Sequence, residues 1–239
     1  IDGRIDRDVE RIGVVLDGFP AGLELDMERI ASEMGRRRPG AAAHSTTRSE
    51  ADQVEILSGV FAGRTTGAPL CGIIRNTDTK SGDYADLAKL PRPGHADYTG
   101  QVRYHGFNDP RGGGHFSGRL TAPIVFAGEI CRQFLESRGI DVGSHSQRFG
   151  DVYDCPFDPC RVSEDQLSLL RTMPVPVNDR SCAQEMLDAV EAARVSLNSV
   201  GGIVETAVIG LMPGVGSPMF GNVEARLSSM LFSIPAVKG

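Results

Sequence analysis

The chain has 239 residues, 40% of them hydrophobic and 23% charged, with a formal net charge of −6 at pH 7 and a pI near 5.4. This acidic balance excludes a protein whose main role is to coat nucleic acid, because such proteins carry a basic excess that displaces counterions from phosphates. The length allows one large domain or two small ones with a sizeable core, and the composition is not that of a disordered chain.

Five scattered cysteines, and no apolar run near the roughly 20 residues that span a bilayer, predict a cytoplasmic protein with reduced thiols and no membrane partner. The first residues do not resemble a signal peptide. Cys155 and Cys160 lack a second close pair and a partner histidine, so we expect no metal site.

The first half of the chain predicts strands and one helix ahead of a long loop. Asp26 precedes a stretch with helical spacing and is the expected N-cap, whereas the turn-rich GRTTGAP joins two apolar stretches as a hairpin does. The later stretch without periodicity is expected to be a functional loop. The expected elements are a strand at 14–16, a helix at 26–37, antiparallel strands at 54–61 and 70–74, and a loop at 75–118.

The second half alternates helices and strands. A long apolar stripe predicts a mostly buried helix that ends at Gly139, and Ser163 and Ser181 are expected to cap two further helices that carry acidic residues in their first turns. The expected elements are a helix at 120–137, short strands at 141–144 and 149–152, helices at 163–171 and 181–196, a half-buried strand at 202–211 and a helix at 222–231.

Residues 92–119 gather the side chains most suited to chemistry. They include three of the five histidines, four arginines and Gly-Gly-Gly. Bare glycine backbone followed by a helix N-terminus can cradle an anion, guanidinium groups bind phosphate or carboxylate, and a nearby histidine can transfer a proton. The sequence therefore predicts a local anion site in an acidic protein, to which Arg48 and the arginine triplet at 36–38 are further candidates.

Nine segments of the chain, in the same order and with compatible spacing, resemble the chorismate synthase family. RPGHAD and GGGHFSGR are the most unusual of them. The segments are GVVLDGFPAG (13–22), RRRPG (36–40), STTRSE (45–50), SGVFAGRTTGAPL (58–70), NTDTKSGDY (76–84), RPGHADYTG (92–100), RGGGHFSGRLTA (111–122), NSVGGIVE (198–205) and FSIPAVKG (232–239).

The resemblance implies an α+β fold in which antiparallel β-sheets sandwich helices, with 1–239 as a single domain, assembled as a homotetramer built as a dimer of dimers. It implies a lyase that carries out the 1,4-anti elimination of phosphate from 5-enolpyruvylshikimate 3-phosphate to give chorismate, the final step of the shikimate pathway of aromatic amino acid biosynthesis. The implied cofactor is reduced FMN (FMNH2), and the resemblance leaves open whether this protein reduces its flavin with NADP or receives it from a separate reductase. The implied partner is a phosphorylated dicarboxylate.

The same resemblance assigns roles to individual residues. It implies that His95 is the catalytic residue that transfers a proton near the flavin. The expected substrate-binding residues are Arg37, Arg48 and Arg119, and the expected cofactor-binding residues are Ser117, Gly118 and Arg119. Asn76 and Asp83 match loop residues that shape the site.

Two family segments have no counterpart in the sequence. IDGRIDRDVERI stands where an FGESHG-type segment with a second histidine is expected, and the chain stops at Gly239, where the family continues towards an RHDP-like motif. We therefore expect a chorismate synthase-like domain truncated at both ends. The alternative hypothesis is a non-catalytic remnant that keeps only the fold and the subunit interface.

The other histidines have less specific contexts. His105 and His115 are either site residues or tolerate unusual backbone beside glycine, and His44 and His145 are predicted to lie on the surface. A further alternative is a metal-dependent hydrolase that uses His95, His105 and His115, although their spacing matches no recognised ligand motif.

Overall fold

A computed structural model describes residues 2–7, 11–38, 52–76, 90–109 and 111–239. Helices and antiparallel sheets are mixed along the chain, which confirms the predicted α+β class. The chain divides into two compact units: Ile1–Gln133 with Glu224–Gly239, and Phe134–Val223. No helix among the described residues is long and apolar enough to cross a membrane.

The first unit is built on a four-stranded antiparallel sheet in the order β1-β2-β6-β3. The predicted hairpin is confirmed, because β3 pairs with β6, but Gly59 with φ +83° breaks the first strand and a small β4-β5 hairpin fills the turn. The strands are β1 (Asp2–Arg7), β2 (Arg11–Asp17), β3 (Val54–Ser58), β4 (Val60–Phe61), β5 (Arg64–Thr65) and β6 (Leu70–Arg75).

Helices α1 (Met27–Arg37) and α3 (Thr121–Glu136) confirm the two strongest helix predictions. Asp26 caps α1 as expected, since its carboxylate accepts a hydrogen bond from the Arg29 backbone N–H at 2.9 Å. Phe126 of α3 packs on the sheet at Gly72, where an added Cβ would lie 2.6 Å from the phenyl ring. Glycine at this strand position therefore allows α3 to approach the sheet closely.

The predicted loop at 75–118 is partly helical. Helix α2 (Asp97–Arg103) lies within it, and 3₁₀ turns follow at Arg111–Phe116 and Gly118–Leu120. The sequence missed these elements because they are short and carry no apolar periodicity. Residues 77–89 lie outside the described residues.

The second unit is a three-stranded antiparallel sheet in the order β8-β7-β9 with two helices. The two weak strand predictions at 141–144 and 149–152 correspond to one long β7 followed by a short β8. Ser163 caps α4 as expected, but the prediction for Ser181 is wrong, because its hydroxyl donates to the Asp179 carboxylate instead. The elements are β7 (Asp141–Phe149), β8 (Val152–Tyr153), α4 (Glu164–Thr172), α5 (Cys182–Val195) and β9 (Gly202–Ile209), while α6 (Val223–Leu231) follows.

The predicted surface position of His145 is wrong. The residue is 1% exposed on β7, where Phe157 packs edge-on against its ring with centroids 4.6 Å apart. Its Nδ1 lies 2.7 Å from an Asp154 carboxylate oxygen and its Nε2 lies 2.7 Å from Glu205. Both ring nitrogens therefore face carboxylate oxygens, and an ionised carboxylate accepts a hydrogen bond wherever the facing nitrogen carries hydrogen. Two hydrogen-bonding partners make the burial of the ring tolerable.

Candidate functional site

The imidazole of His95 lies against the backbone of the first 3₁₀ turn. Gly113 is buried there with φ +82°, and a Cβ added to it would lie 3.4 Å from His95 Nε2 and Cε1 and 3.5 Å from Ser117 Cβ. The positive φ favours glycine at this position, and an added Cβ would touch the imidazole and the serine. The structure thus brings two of the predicted site residues, His95 and Ser117, to one bare stretch of backbone.

The other ring nitrogen of His95 is held by Asp97. The distance from His95 Nδ1 to Asp97 Oδ1 is 2.7 Å, and Arg92 donates to the same carboxylate through its backbone N–H, Nε and Nη2 at 3.0, 2.8 and 3.0 Å. Arg92 Nη2 also lies 3.2 Å from His95 Nδ1, but the carboxylate can only accept, so Nδ1 is the donor to Asp97. Nε2 is then the nitrogen that faces Gly113.

Asp97 stays ionised over a wide pH range. The hydrogen bond from the Arg92 side chain, opposed by burial and assisted by the Arg92 backbone and His95, holds the pKa of this carboxyl far below its usual value. The side chain is 6% exposed, whereas that of His95 is 28% exposed. A fixed anion therefore orients a partly accessible imidazole.

A second cluster joins two of the predicted arginines. Arg37 Nη1 lies 2.6 Å from Asp52 Oδ2, and Arg119 Nη1 lies 2.7 Å from Asp52 Oδ1. Arg37 Nε also donates to the Thr121 hydroxyl at 3.3 Å, and Arg119 Nε donates to Asn76 Oδ1 at 2.5 Å. The structure therefore brings together Arg37, Arg119 and Asn76 around one buried carboxylate.

One short segment carries both clusters. Ser117 caps the second 3₁₀ turn, since its hydroxyl accepts a hydrogen bond from the Arg119 backbone N–H at 3.3 Å. The Thr121 hydroxyl donates to the Gly118 carbonyl at 2.8 Å. Residues 113–121 thus meet His95 at one end and the arginine cluster at the other.

The arginine triplet is resolved by its contacts. Arg36 pairs with Glu33 on the same helix at 3.0 Å, and Arg38 lines a cleft of about 380 Å³ beside Asp52 and the apolar face of α1. Arg37 is the member that reaches the cluster. The residues that line this cleft include one cation, Arg38, beside the carboxylate of Asp52, so the cleft offers less positive charge than the arginine cluster.

Some predicted residues remain untested by geometry. Arg48 and Asp83 lie outside the described residues. His105 and His115 are exposed, and His105 has φ +55°, as expected for a histidine in an unusual turn. Among the described residues no group of three histidines, cysteines or acidic residues could hold a metal ion, so the hydrolase alternative has no ligand set there.

Asp52 is the site residue that sequence reasoning missed. The only local signal is an acidic residue two positions before β3, in a segment that also contains Arg48. Its partners are Arg37 and Arg119, which come from other parts of the chain. No spacing rule within the segment predicts that pairing.

Comparisons with known proteins give a single family. A family model described as chorismate synthase matches residues 8–239. The chain is 44% identical over 230 residues to the chorismate synthase of Methanococcoides burtonii, and the match covers 95% of this chain and 61% of that relative. It is 42% identical over 228 residues to the chorismate synthase of Thermococcus kodakarensis, and that match covers 95% of this chain and 62% of the relative. A crystal structure of chorismate synthase matches with a TM-score of 0.75 and 26% identity, covering 99% of this chain and 66% of that one. The chain thus spans about three fifths of the length of the curated relatives it matches.

Proposed function

Since this chain belongs to the chorismate synthase family, we propose that its protein eliminates phosphate from 5-enolpyruvylshikimate 3-phosphate to give chorismate, with reduced FMN as cofactor. The observation that carries the proposal is the segment 113–121, which contacts His95 at one end and joins Arg37 and Arg119 at the other. Proton transfer and anion binding are the two chemical tasks of such an elimination.

Arg37 and Arg119 are the proposed substrate contacts among the described residues. A guanidinium group remains charged and offers paired donors that match phosphate and carboxylate. Two guanidinium groups share the carboxylate of Asp52, so positive charge is concentrated at one place in a chain whose net charge is −6. We propose Arg48 as a third contact to the phosphorylated dicarboxylate.

Ser117, Gly118 and Arg119 are the proposed flavin-binding residues. Gly113 fits this role, because it forms a cradle that a Cβ would fill and so leaves bare backbone between His95 and Ser117. These residues would hold the reduced flavin, which would supply electron density for the elimination. Of the described residues, His95 is the proposed proton carrier, through Nε2, since Nδ1 is engaged by Asp97.

Anaerobic turnover tests the activity. The protein at its full encoded length, with dithionite-reduced FMN, should release phosphate and chorismate in equal amounts. His95→Gln should lower kcat by about 10²- to 10⁴-fold, the usual contribution of a positioned acid or base. His105→Asn, at an exposed turn with φ +55°, is the matched control and should retain activity. No chorismate from the full-length protein would refute the proposal.

Flavin titration separates the enzyme from the non-catalytic alternative. Tight binding of FMN by the protein, weakened by Ser117→Leu, supports the assigned cofactor residues. A folded protein that binds neither FMN nor the substrate would favour a remnant that keeps only its fold and interface.

We also propose that residues 1–239 act as one domain of a cytoplasmic homotetramer arranged as a dimer of dimers. Five free cysteines support a reducing compartment. Light scattering coupled to size exclusion should give four times the mass of one chain, and a monomeric mass at micromolar concentration would contradict the assembly.

A further inference from the structure

The carboxylate of Asp52 is fully buried, with 0% of its side chain exposed. A buried carboxylate is strongly unfavourable unless cations and hydrogen bonds compensate it, so its two guanidinium partners are a requirement of its burial. Its backbone is also unusual for a residue other than glycine, with φ +48°. Such conformations persist where the surrounding structure enforces them, and they cluster at functional sites.

Each oxygen of Asp52 contacts a different guanidinium group. Oδ2 accepts a hydrogen bond from Arg37 Nη1 at 2.6 Å. Oδ1 lies 2.7 Å from Arg119 Nη1, but among the described residues no well-aligned hydrogen bond reaches this oxygen. Arg37 is therefore held by a directed bond, and Arg119 is held by charge attraction together with its bond to Asn76.

The Asp52 carboxylate connects two elements that lie far apart in the sequence. Arg37 is the last residue of α1, and Arg119 belongs to the 3₁₀ turn at Gly118–Leu120. Without the carboxylate between them, the two guanidinium groups would repel each other. Asp52 therefore lies between the two cations and holds them close to each other.

We propose that Asp52 is a positioning residue that fixes Arg37 and Arg119 relative to each other and thereby sets the affinity of the site for the phosphate-bearing substrate. This inference rests on the proposed function for the identity of the substrate. Asp52 acts through the two arginines and takes no part in proton transfer.

The test compares Asp52→Asn, which removes the charge at constant size, with Asp52→Glu, which keeps the charge but moves it by one methylene. Asp141→Asn is the matched control, because Asp141 is also a buried carboxylate, held by two bonds from Arg171 at 2.7 and 2.8 Å, and contacts none of the site residues described above. For each full-length protein, KM and kcat are measured with reduced FMN. Dissociation constants for inorganic phosphate are measured separately by calorimetry.

We expect Asp52→Asn to raise KM and the phosphate dissociation constant about tenfold, with kcat within threefold of the starting protein. Asp52→Glu should restore part of the affinity, and Asp141→Asn should lower the midpoint of urea unfolding without changing KM. Asn76→Ala, which removes the Arg119 Nε contact, should give a smaller rise in KM. If Asp52→Asn does not fold, Asn76→Ala and Asp52→Glu are the variants that test the inference.

Unchanged KM and phosphate affinity in the folded Asp52 variants would overturn the inference and leave Asp52 with a purely structural role. A starting protein that binds phosphate but makes no chorismate would refute the proposed function alone. In that case, loss of phosphate binding in Asp52→Asn and not in Asp141→Asn still supports the positioning role.

Discussion

Replacing His145 by glutamine removes the imidazole that lies between two carboxylates inside the second unit. The His145 side chain is 0% exposed, and both of its nitrogens lie 2.7 Å from carboxylate oxygens, of which Asp154 is 0% and Glu205 30% exposed. Removing one partner of a buried ion pair costs about 3–5 kcal/mol, because the other charge stays buried without compensation. A glutamine carries both of its N–H donors on one nitrogen, so it cannot replace the two separate ring nitrogens of His145.

The remaining hydrogen bonds reduce that cost. Asp154 still accepts from the backbone N–H groups of Asn178, Asp179 and Cys155 at 2.6, 2.8 and 2.8 Å, and Glu205 still accepts from the Phe157 backbone at 2.9 Å. We therefore expect His145→Gln to lower the free energy of unfolding by about 3 kcal/mol, the lower end of the range for a broken buried pair. Urea unfolding at pH 7 measures it, and His105→Asn, at an exposed turn with φ +55°, should stay within about 0.5 kcal/mol.

The pH dependence gives a second, independent measurement. Burial alone would raise the pKa of Asp154, but the backbone donors at 179, 178 and 155 and the His145 ring outweigh it and hold the pKa below its usual value. The pKa of Glu205 is also lowered, chiefly by His145 and then by the Phe157 backbone. Because both pKa values are depressed on folding, the stability they contribute is present above the unfolded values near 4 and is lost as the pH falls through the folded ones.

His145→Gln removes the main cause of the depression at Glu205, so its pKa should rise. The variant should then lose less stability than the starting protein as the pH falls below about 4, so the difference in unfolding free energy between the two proteins should be smaller in acid than at pH 7. A variant that loses less than about 1 kcal/mol at pH 7, with a difference that does not shrink in acid, would show that the buried ring does not hold the two carboxylates.

Three other substitutions address the site and the core. Gly113→Ala should place a methyl group against the His95 ring and lower kcat by restricting access to Nε2, while Gly63→Ala, with a similar φ of +77° but open space around it, should show only the backbone penalty of about 1 kcal/mol; equal kcat values in the two variants would refute the contact. Asp97→Asn should lower kcat by up to about 10²-fold without loss of phosphate affinity, measured by calorimetry, because it loosens the proton carrier and not the anion site. Gly72→Ala should cost about 1–3 kcal/mol in urea unfolding through overpacking against the α3 phenyl ring, and an unchanged midpoint would contradict the close approach.

The elements that could be predicted from sequence are those fixed by local interactions. Asp26 and Ser163 cap helices through hydrogen bonds to N–H groups three residues ahead, so a short window of sequence contains the whole interaction. The sequence predicts only short strands where the long β7 lies, because the residues of β7, DVGSHSQRF, are mostly small or polar and show no apolar alternation. Its long pairing with β9 supplies what its own composition does not indicate.

The site residues also divide into those that a local motif identifies and those whose role depends on distant partners. The resemblance to family motifs identified His95 and Arg119, because each lies within a distinctive segment. The role of Asp52 and the burial of His145 depend on partners elsewhere in the chain, such as Glu205, 60 residues away. A motif can name the residue that carries the chemistry, whereas the anion that holds it in place is visible only after folding.

Two of the acidic residues in the chain have a role that the composition alone does not indicate. Asp97 fixes the ring of His95, and Asp52 fixes the guanidinium groups of Arg37 and Arg119, so two of the carboxylates orient side chains of the proposed site. A carboxylate at hydrogen-bonding distance restricts a long cationic side chain that would otherwise lose several rotamers on binding a ligand. The cations are therefore ordered before the ligand arrives. The negative charges lower the net positive potential of the site, and in return they reduce the conformational entropy lost on binding.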